Sequence, residues 1–391
     1  MRSIQRSLLR SLMSSEIQDY VDHVGLVDHH VHGVYENNPT VDEFSNMITE
    51  SDRQPKTLDI AMNSQVGFAT RKWCAPLLDL PAHCDPQGYF ARRIELGASE
   101  VNRRFLTACG VTHSVIETGF RGTEIHGPEG MAKLAGHKVD KVIRLETTAE
   151  KLLDTGTVTS ESFVTDFARE LAIAAKGAVG LKSIVAYRYG LHFEPSPPSQ
   201  QEVQKAIEPV LRQVDSGTPA RIDDPILLRH LIFAGLELNL PIQFHIGYGD
   251  PDLYLHLCDP LLMTNFIKHA ESRKVPIMLL HTYPFHRNAG YLAQMFENVY
   301  LDVGLAINYT GARSEAIIAE SLELAPFHKI LFSSDAWGLS ELTYMGAAMF
   351  RYGFGRVLAE WVDQGLWSLA DAKHVTDSIG YANAKLAYEL N

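Results

Sequence analysis

His30 and His32, in the run Asp28-His29-His30-Val31-His32, stand two residues apart. In an extended strand, positions i and i+2 face the same side, so these two imidazoles point together. Two imidazoles on one face make half of a metal site. Three further runs each place one metal-capable side chain after four or five mostly apolar residues. They are Pro241-Ile-Gln-Phe-His245-Ile-Gly247, Pro276-Ile-Met-Leu-Leu-His281-Thr282 and Ile330-Leu-Phe-Ser-Ser-Asp335. One such histidine alone reads as a satisfied core residue. Three runs in phase with an H-x-H strand are not explained by packing, and they predict a divalent-metal site. Such a site activates water and polarises a carbonyl group.

Eight short β-type runs carry or accompany these residues: 26–32, 111–118, 141–146, 179–187, 241–247, 276–282, 299–303 and 330–335. Helical stretches separate them. Strands alternating with helices predict an α/β fold, specifically a (β/α)₈ TIM barrel. Barrel enzymes build their sites at the C-terminal strand ends, where the histidines and Asp335 fall. Two connections exceed ordinary barrel loops. Residues 34–110, with helical stretches over 57–79 and 88–108, are expected to form a helical cap inserted after the first strand. Residues 188–240 open on the loop Glu194-Pro-Ser-Pro-Pro198, then read as two helices starting near Ser199 and Pro225. The chain is read as one barrel over 1–391. Its length permits two to three domains, but an α/β barrel uses ~250 residues as one.

This constellation, in this order, resembles the amidohydrolase superfamily, and within it the amidohydrolase-related branch. The likeness sharpens in Leu181-Lys-Ser-Ile-Val-Ala-Tyr-Arg-Tyr-Gly-Leu191, Gln243-Phe-His-Ile-Gly-Tyr-Gly-Asp250 and Leu280-His-Thr-Tyr-Pro-Phe285. Tyr300-Leu-Asp-Val-Gly-Leu305 and Asn383-Ala-Lys-Leu-Ala-Tyr388 add to it. These segments are similar to the hydrolase domain of FluG-type proteins, which fuse it to a glutamine-synthetase-like domain. The sequence here carries the hydrolase part alone. The resemblance implies that His30, His32, His245 and Asp335 bind metal, and that Asp335 also acts as general base. His281 would ligate a second metal or hold the substrate's polarised oxygen. Lys182 would be a ligand if carbamylated, as in members whose carbamate bridges two metals, because a free ammonium has no lone pair. Its alternative is a lysine paired with a pocket carboxylate. Histidine and carboxylate ligands suit zinc, as one ion or two.

The expected function is metal-dependent hydrolysis of a C–N (amide) or related bond in a small polar, carboxylate-bearing substrate. Non-oxidative decarboxylation on the same site is the alternative, and a non-enzymatic scaffold would not need converging ligands whose desolvation is costly. Arg188 and Tyr283 are candidate substrate-binding residues, Arg188 through its bidentate fork. An ion pair between Arg188 and a rim acid such as Asp250 is the competing reading. Glu117, Glu146, Arg287, Trp73 and Trp337 are further pocket candidates, and Asp302 a partner for a ligand histidine.

The net charge of −12, from 35 basic and 47 acidic residues, speaks against nucleic acid as partner. No apolar run reaches membrane-spanning length. Four cysteines, Cys74, Cys84, Cys109 and Cys258, form no C-x-x-C pair, consistent with a reducing cytoplasm. The expected partner is a small-molecule substrate, and a homo-oligomer is compatible with the sequence. Residues 1–15 carry Arg2, Arg6 and Arg10 without an acid, which has a transit-peptide flavour. The preferred reading is a helix beside the first strand, continued by Ile17, Tyr20, Val21 and Val24.

Overall fold

The computed structural model describes residues 14–391. Seven parallel strands form one curled sheet in chain order: β1 (Leu26–Val31), β2 (Val111–Glu117), β3 (Lys138–Arg144), β4 (Gly180–Ser183), β5 (Ile242–His245), β6 (Ile277–Leu280) and β7 (Val299–Leu301). Strands β1, β4, β5 and β6 are buried along their whole length. Only β6 is apolar throughout; β1, β4 and β5 bury Asp28, His29, His30, Lys182, Gln243 and His245 among their apolar residues.

The expected eighth strand, 330–335, is extended but irregular. Leu331 N donates to Leu301 O at 3.0 Å on one side, and His29 N to Phe332 O at 3.1 Å on the other. The segment therefore lies between β7 and β1. Its ladder is broken because side chains take over backbone partners: Asp28 accepts from the amide of Ser334 at 3.0 Å and from its hydroxyl. Asp302, just past β7, accepts from Ser333 Oγ at 2.7 Å.

The connection after β4 matches its sequence signals. Ser199 caps Gln200–Asp215 in a capping box with Glu202, and Asp224 caps Pro225–Leu236 with Pro225 in its first turn. The strand before it is shorter than expected. Glu146 accepts from Ser183 Oγ at 2.7 Å and Ile184 N at 3.0 Å, and the chain turns into the short helix Val185–Arg188. Glu146 itself stands in the helix Leu145–Leu153, not at the end of β3.

Between β1 and β2 the chain is mostly helical, but the two long expected stretches are divided. The pieces are Leu58–Ala61, Gln65–Ala69, a π turn Thr70–Cys74, a 3₁₀ turn Ala75–Leu78, Pro86–Leu96 and Ala98–Ala108. Gly97, at φ 81°, separates the last two. Residues 14–23 are helical, with Ile17 and Val21 fully buried. Arg2, Arg6 and Arg10 lie outside the described residues. The four cysteines are free thiols.

Candidate metal centre

The ends of β1, β5, β6 and the last extended segment bring the expected side chains together. Donor atoms of His30, His32 and Asp335 all lie within 4.8 Å of one another. Asp335 Oδ1 is 3.1 Å from His30 Nε2 and 3.8 Å from His32 Nε2, and its Oδ2 is 3.5 Å from His281 Nε2. His245 lies beside this group, lining the same cavity, with its donors outside the 4.8 Å cluster. Its ring packs between Tyr187 and His281, at centroid distances of 4.2 and 4.3 Å.

These donors suit a cation. His281 Nδ1 lies 2.9 Å from the carbonyl of Ile246, an acceptor only, so Nδ1 carries the proton. Its Nε2 then faces Asp335 as a second acceptor, an approach that a shared cation relieves. His245 Nε2 is buried and has no protein partner. Burial pushes the His30 imidazole down to about 3, with Lys182 adding to the effect. Burial also lowers His32, His245 and His281. Burial thus favours the neutral form of all four, the form that ligates metal, while the charge of Asp335 pulls the other way. Burial opposes ionisation of Asp335, yet His281, His30 and His32 around it hold its carboxyl well below the usual carboxylate range.

Lys182 is 3% exposed, and its Nζ lies 3.5 Å from His30 Nε2. Burial brings it down to about 8 against the opposing pull of Asp335, so its neutral amine is accessible near neutrality. Glu117 Oε2 approaches His32 Nδ1 at 3.5 Å and pairs with Arg144, orienting that imidazole from behind. Asp302 touches His29 rather than a metal-facing ring, at 3.0 Å, and accepts from the backbone amide of His281 at 3.0 Å. His281 and Asp335 both have left-handed backbone, φ 39° and 48°.

A cavity of about 190 Å³ opens on these residues. Arg188 lines it, but its Nη2 pairs with Glu150 at 3.1 Å, not with Asp250. Its Nη1 is buried without a partner. Tyr283 is not among the lining residues; its ring stacks on His286 at 5.9 Å. Arg287 is occupied by Glu323 at 2.8 Å, and Trp73 packs on Tyr352. Trp337 does line the cavity, as do Glu50, Phe120, Arg144, Tyr187 and Arg221, whose role there sequence reasoning missed. Glu50 comes from an irregular polar stretch between β1 and β2 that carries no periodic signal. The glycines beside Tyr248 were a usable hint. A Cβ on Gly249 would stand 2.0 Å from the Tyr187 hydroxyl, so only glycine lets that ring lie against His245.

Residues 155–383 match the family model described as amidohydrolase. This is more than half of the chain.

The chain belongs to the amidohydrolase family.

This amidohydrolase is 32% identical over 245 residues to the protein fluG of Emericella nidulans. The match takes in 59% of the chain and 28% of fluG, so the chain spans well under half of that relative. Among solved structures it is similar to a protein of Lactobacillus casei provisionally called a metal-dependent hydrolase. The TM-score there is 0.82 at 28% identity, with 95% of this chain and 97% of the other covered. A uronate isomerase of Bacillus halodurans shares the fold, with a TM-score of 0.67 at 15% identity over 98% and 97% of the two chains. The family and the Lactobacillus neighbour support a hydrolase, and His30, His32 and Asp335 form the candidate metal site.

Proposed function

We propose that this amidohydrolase cleaves an amide, or a related C–N or ester bond, in a small polar substrate. The observation that carries this reading is the meeting of His281 Nε2 and Asp335 Oδ2, two acceptors 3.5 Å apart, beside the donors of His30 and His32. His30, His32, Asp335 and the adjoining His245 would hold the metal, with zinc best suited to this ligand set. When bound, a divalent metal supplies Lewis acidity and a nucleophilic water at neutral pH. Asp335, kept ionised, accepts the proton from the attacking water and returns it to the leaving nitrogen. His281, with its tautomer set by Ile246, turns an Nε2 lone pair toward Asp335 and would serve as a further ligand. Lys182 would join the ligands only as its carbamate, then with a second ion. Arg188 keeps one N–H free to donate to a substrate oxygen, carboxylate or neutral. Tyr283, stacked on His286, has no part in this reading.

The test is metal analysis of the purified protein followed by a panel of N-acyl amino acids, primary amides and esters. Both released amine and released CO₂ are measured. Amine release that depends on zinc supports the proposal. CO₂ release without amine would replace hydrolysis by decarboxylation. A metal-free protein of full activity would overturn both.

A further inference from the structure

The cavity walls carry charges of both signs, and most are already matched. Arg144 is met by Glu117 and Arg188 by Glu150. Arg221 has Asp223 and Asp252 at 3.9 and 3.8 Å. Lys182 and the imidazoles surround Asp335. Two lining carboxylates are left over. Among the described residues, no basic nitrogen lies within 4 Å of Glu50 or Asp250.

We propose that Glu50 and Asp250 receive a cationic group of the substrate, a protonated amine at the end remote from the bond that is cleaved. That the occupant is a substrate rests on the hydrolase reading; that it is cationic does not.

The two carboxylates reach the cavity from different parts of the chain, the connection after β1 and the loop after β5. One oxygen of Asp250 is oriented by the amide of Asp252, at 2.9 Å. Tyr187 lies near both acids, and its ring offers an electron-rich face of the kind that accepts ammonium groups. His245, 4% exposed with an unpartnered Nε2, lines the same cavity on the metal side, so the acids and the metal donors open on one space. Burial and Asp335 push Glu50 up to about 7, with Asp250 adding and a hydrogen bond from Tyr309 opposing. Burial, then Asp252 and Asp52, push Asp250 up, against its backbone hydrogen bond and the more distant charge of Arg221. Desolvated carboxylates that repel one another gain most from an arriving cation. A substrate carboxylate would find the free Nη1 of Arg188, whose other arm is held by Glu150.

The experiment uses zinc-loaded protein and three hydroxamic acids of equal chain length, ending in an ammonium, a methyl or a carboxylate group. The hydroxamate anchors each to the metal, and calorimetry reads the effect of the far end. The ammonium compound should bind about tenfold more tightly than the other two, as a charged hydrogen bond provides. Glu50→Gln and Asp250→Asn should each remove that preference while affinity for the methyl compound stays within about twofold. Equal affinity for the three in the wild type, tighter binding of the carboxylate, or a preference that survives both variants overturns the proposal. So does saturable calcium binding lost in Glu50→Gln, which would make the acid pair an ion site. The same preference for butylamine over butyrate, read by ligand-observed NMR on metal-free protein, carries the test if zinc does not load. A preference for ammonium without turnover of any amide would sink the hydrolase reading and leave this one standing.

Discussion

His281 and Asp335 hold left-handed backbone at the end of a strand and of an extended segment, a conformation uncommon for any side chain although His and Asp adopt it more readily than most. Such strain persists when surrounding contacts over-determine it, and it clusters at working sites. Here Asp302 holds the amide of His281, and the amide of Asp335 donates to His30 O at 3.1 Å. The side chains are thereby aimed before any ligand arrives. His30→Ala and Asp335→Ala should each lower bound zinc sharply and abolish turnover while the circular dichroism spectrum is retained. Wild-type metal content and activity in both would refute the assignment. Gly249→Ala tests the ring that lies over His245. Its methyl would collide with the Tyr187 hydroxyl, so kcat/KM should fall at least about tenfold with zinc retained. Adding Tyr187→Phe, which removes the colliding oxygen, should restore part of the loss; a double variant as poor as Tyr187→Phe with a harmless Gly249→Ala contradicts this.

Helix Pro225–Leu236 packs against helix Phe163–Ala174 through His230, whose ring lies 5.8 and 5.9 Å from those of Phe163 and Phe167. Burial among these groups lowers His230 from 6.5 to about 4. A lowered histidine supports the fold fully above its unfolded value. As pH falls below 6.5 the unfolded chain binds a proton that the folded one refuses, and the contribution is lost through about 4. Each pH unit in that window costs at most about 1.4 kcal/mol. His230→Leu should flatten the acid side of the stability profile, measured by urea unfolding at several pH values. An unchanged slope between pH 6.5 and 4 would show that other groups set it. The two helices were legible from Ser199, Glu202, Asp224 and Pro225, because capping acts within a few residues. The irregular eighth segment was not, since Asp28 and Asp302, which take its hydrogen bonds, are distant in sequence.

His30 and His32 come from near the start of the described chain and Asp335 from its last extended segment, so a metal held by them would bridge the seam of the sheet. A ligand that binds only the folded form adds RT ln(1 + [L]/Kd), about 4 kcal/mol at a thousandfold excess. Stripping the metal with a chelator should lower Tm by several degrees, and zinc should restore it. An identical Tm in both forms would mean that no metal ties the seam. A second tie links β1 and β5 to the C-terminal residues. The Tyr388 hydroxyl meets His29 Nδ1 at 3.1 Å and Gln243 Nε2 at 2.9 Å, which anchors the last helix to β1 and β5.

By itself the sequence determined the succession of strands, the paired imidazoles of His30 and His32, and one donor each at His245, His281 and Asp335. Those signals are local: strand alternation sets which side chains share a face, and a run of apolar residues sets how far along the strand a donor falls. The tertiary structure alone decided that His245 leans on Tyr187, that Arg188 spends half of its fork on Glu150, that Tyr283 turns to His286, and that Glu50 enters the cavity. Each of these is a lateral contact between segments remote in sequence. Ion pairing and cavity shape depend on which neighbour lies within a few ångströms, and no periodicity along the chain records that.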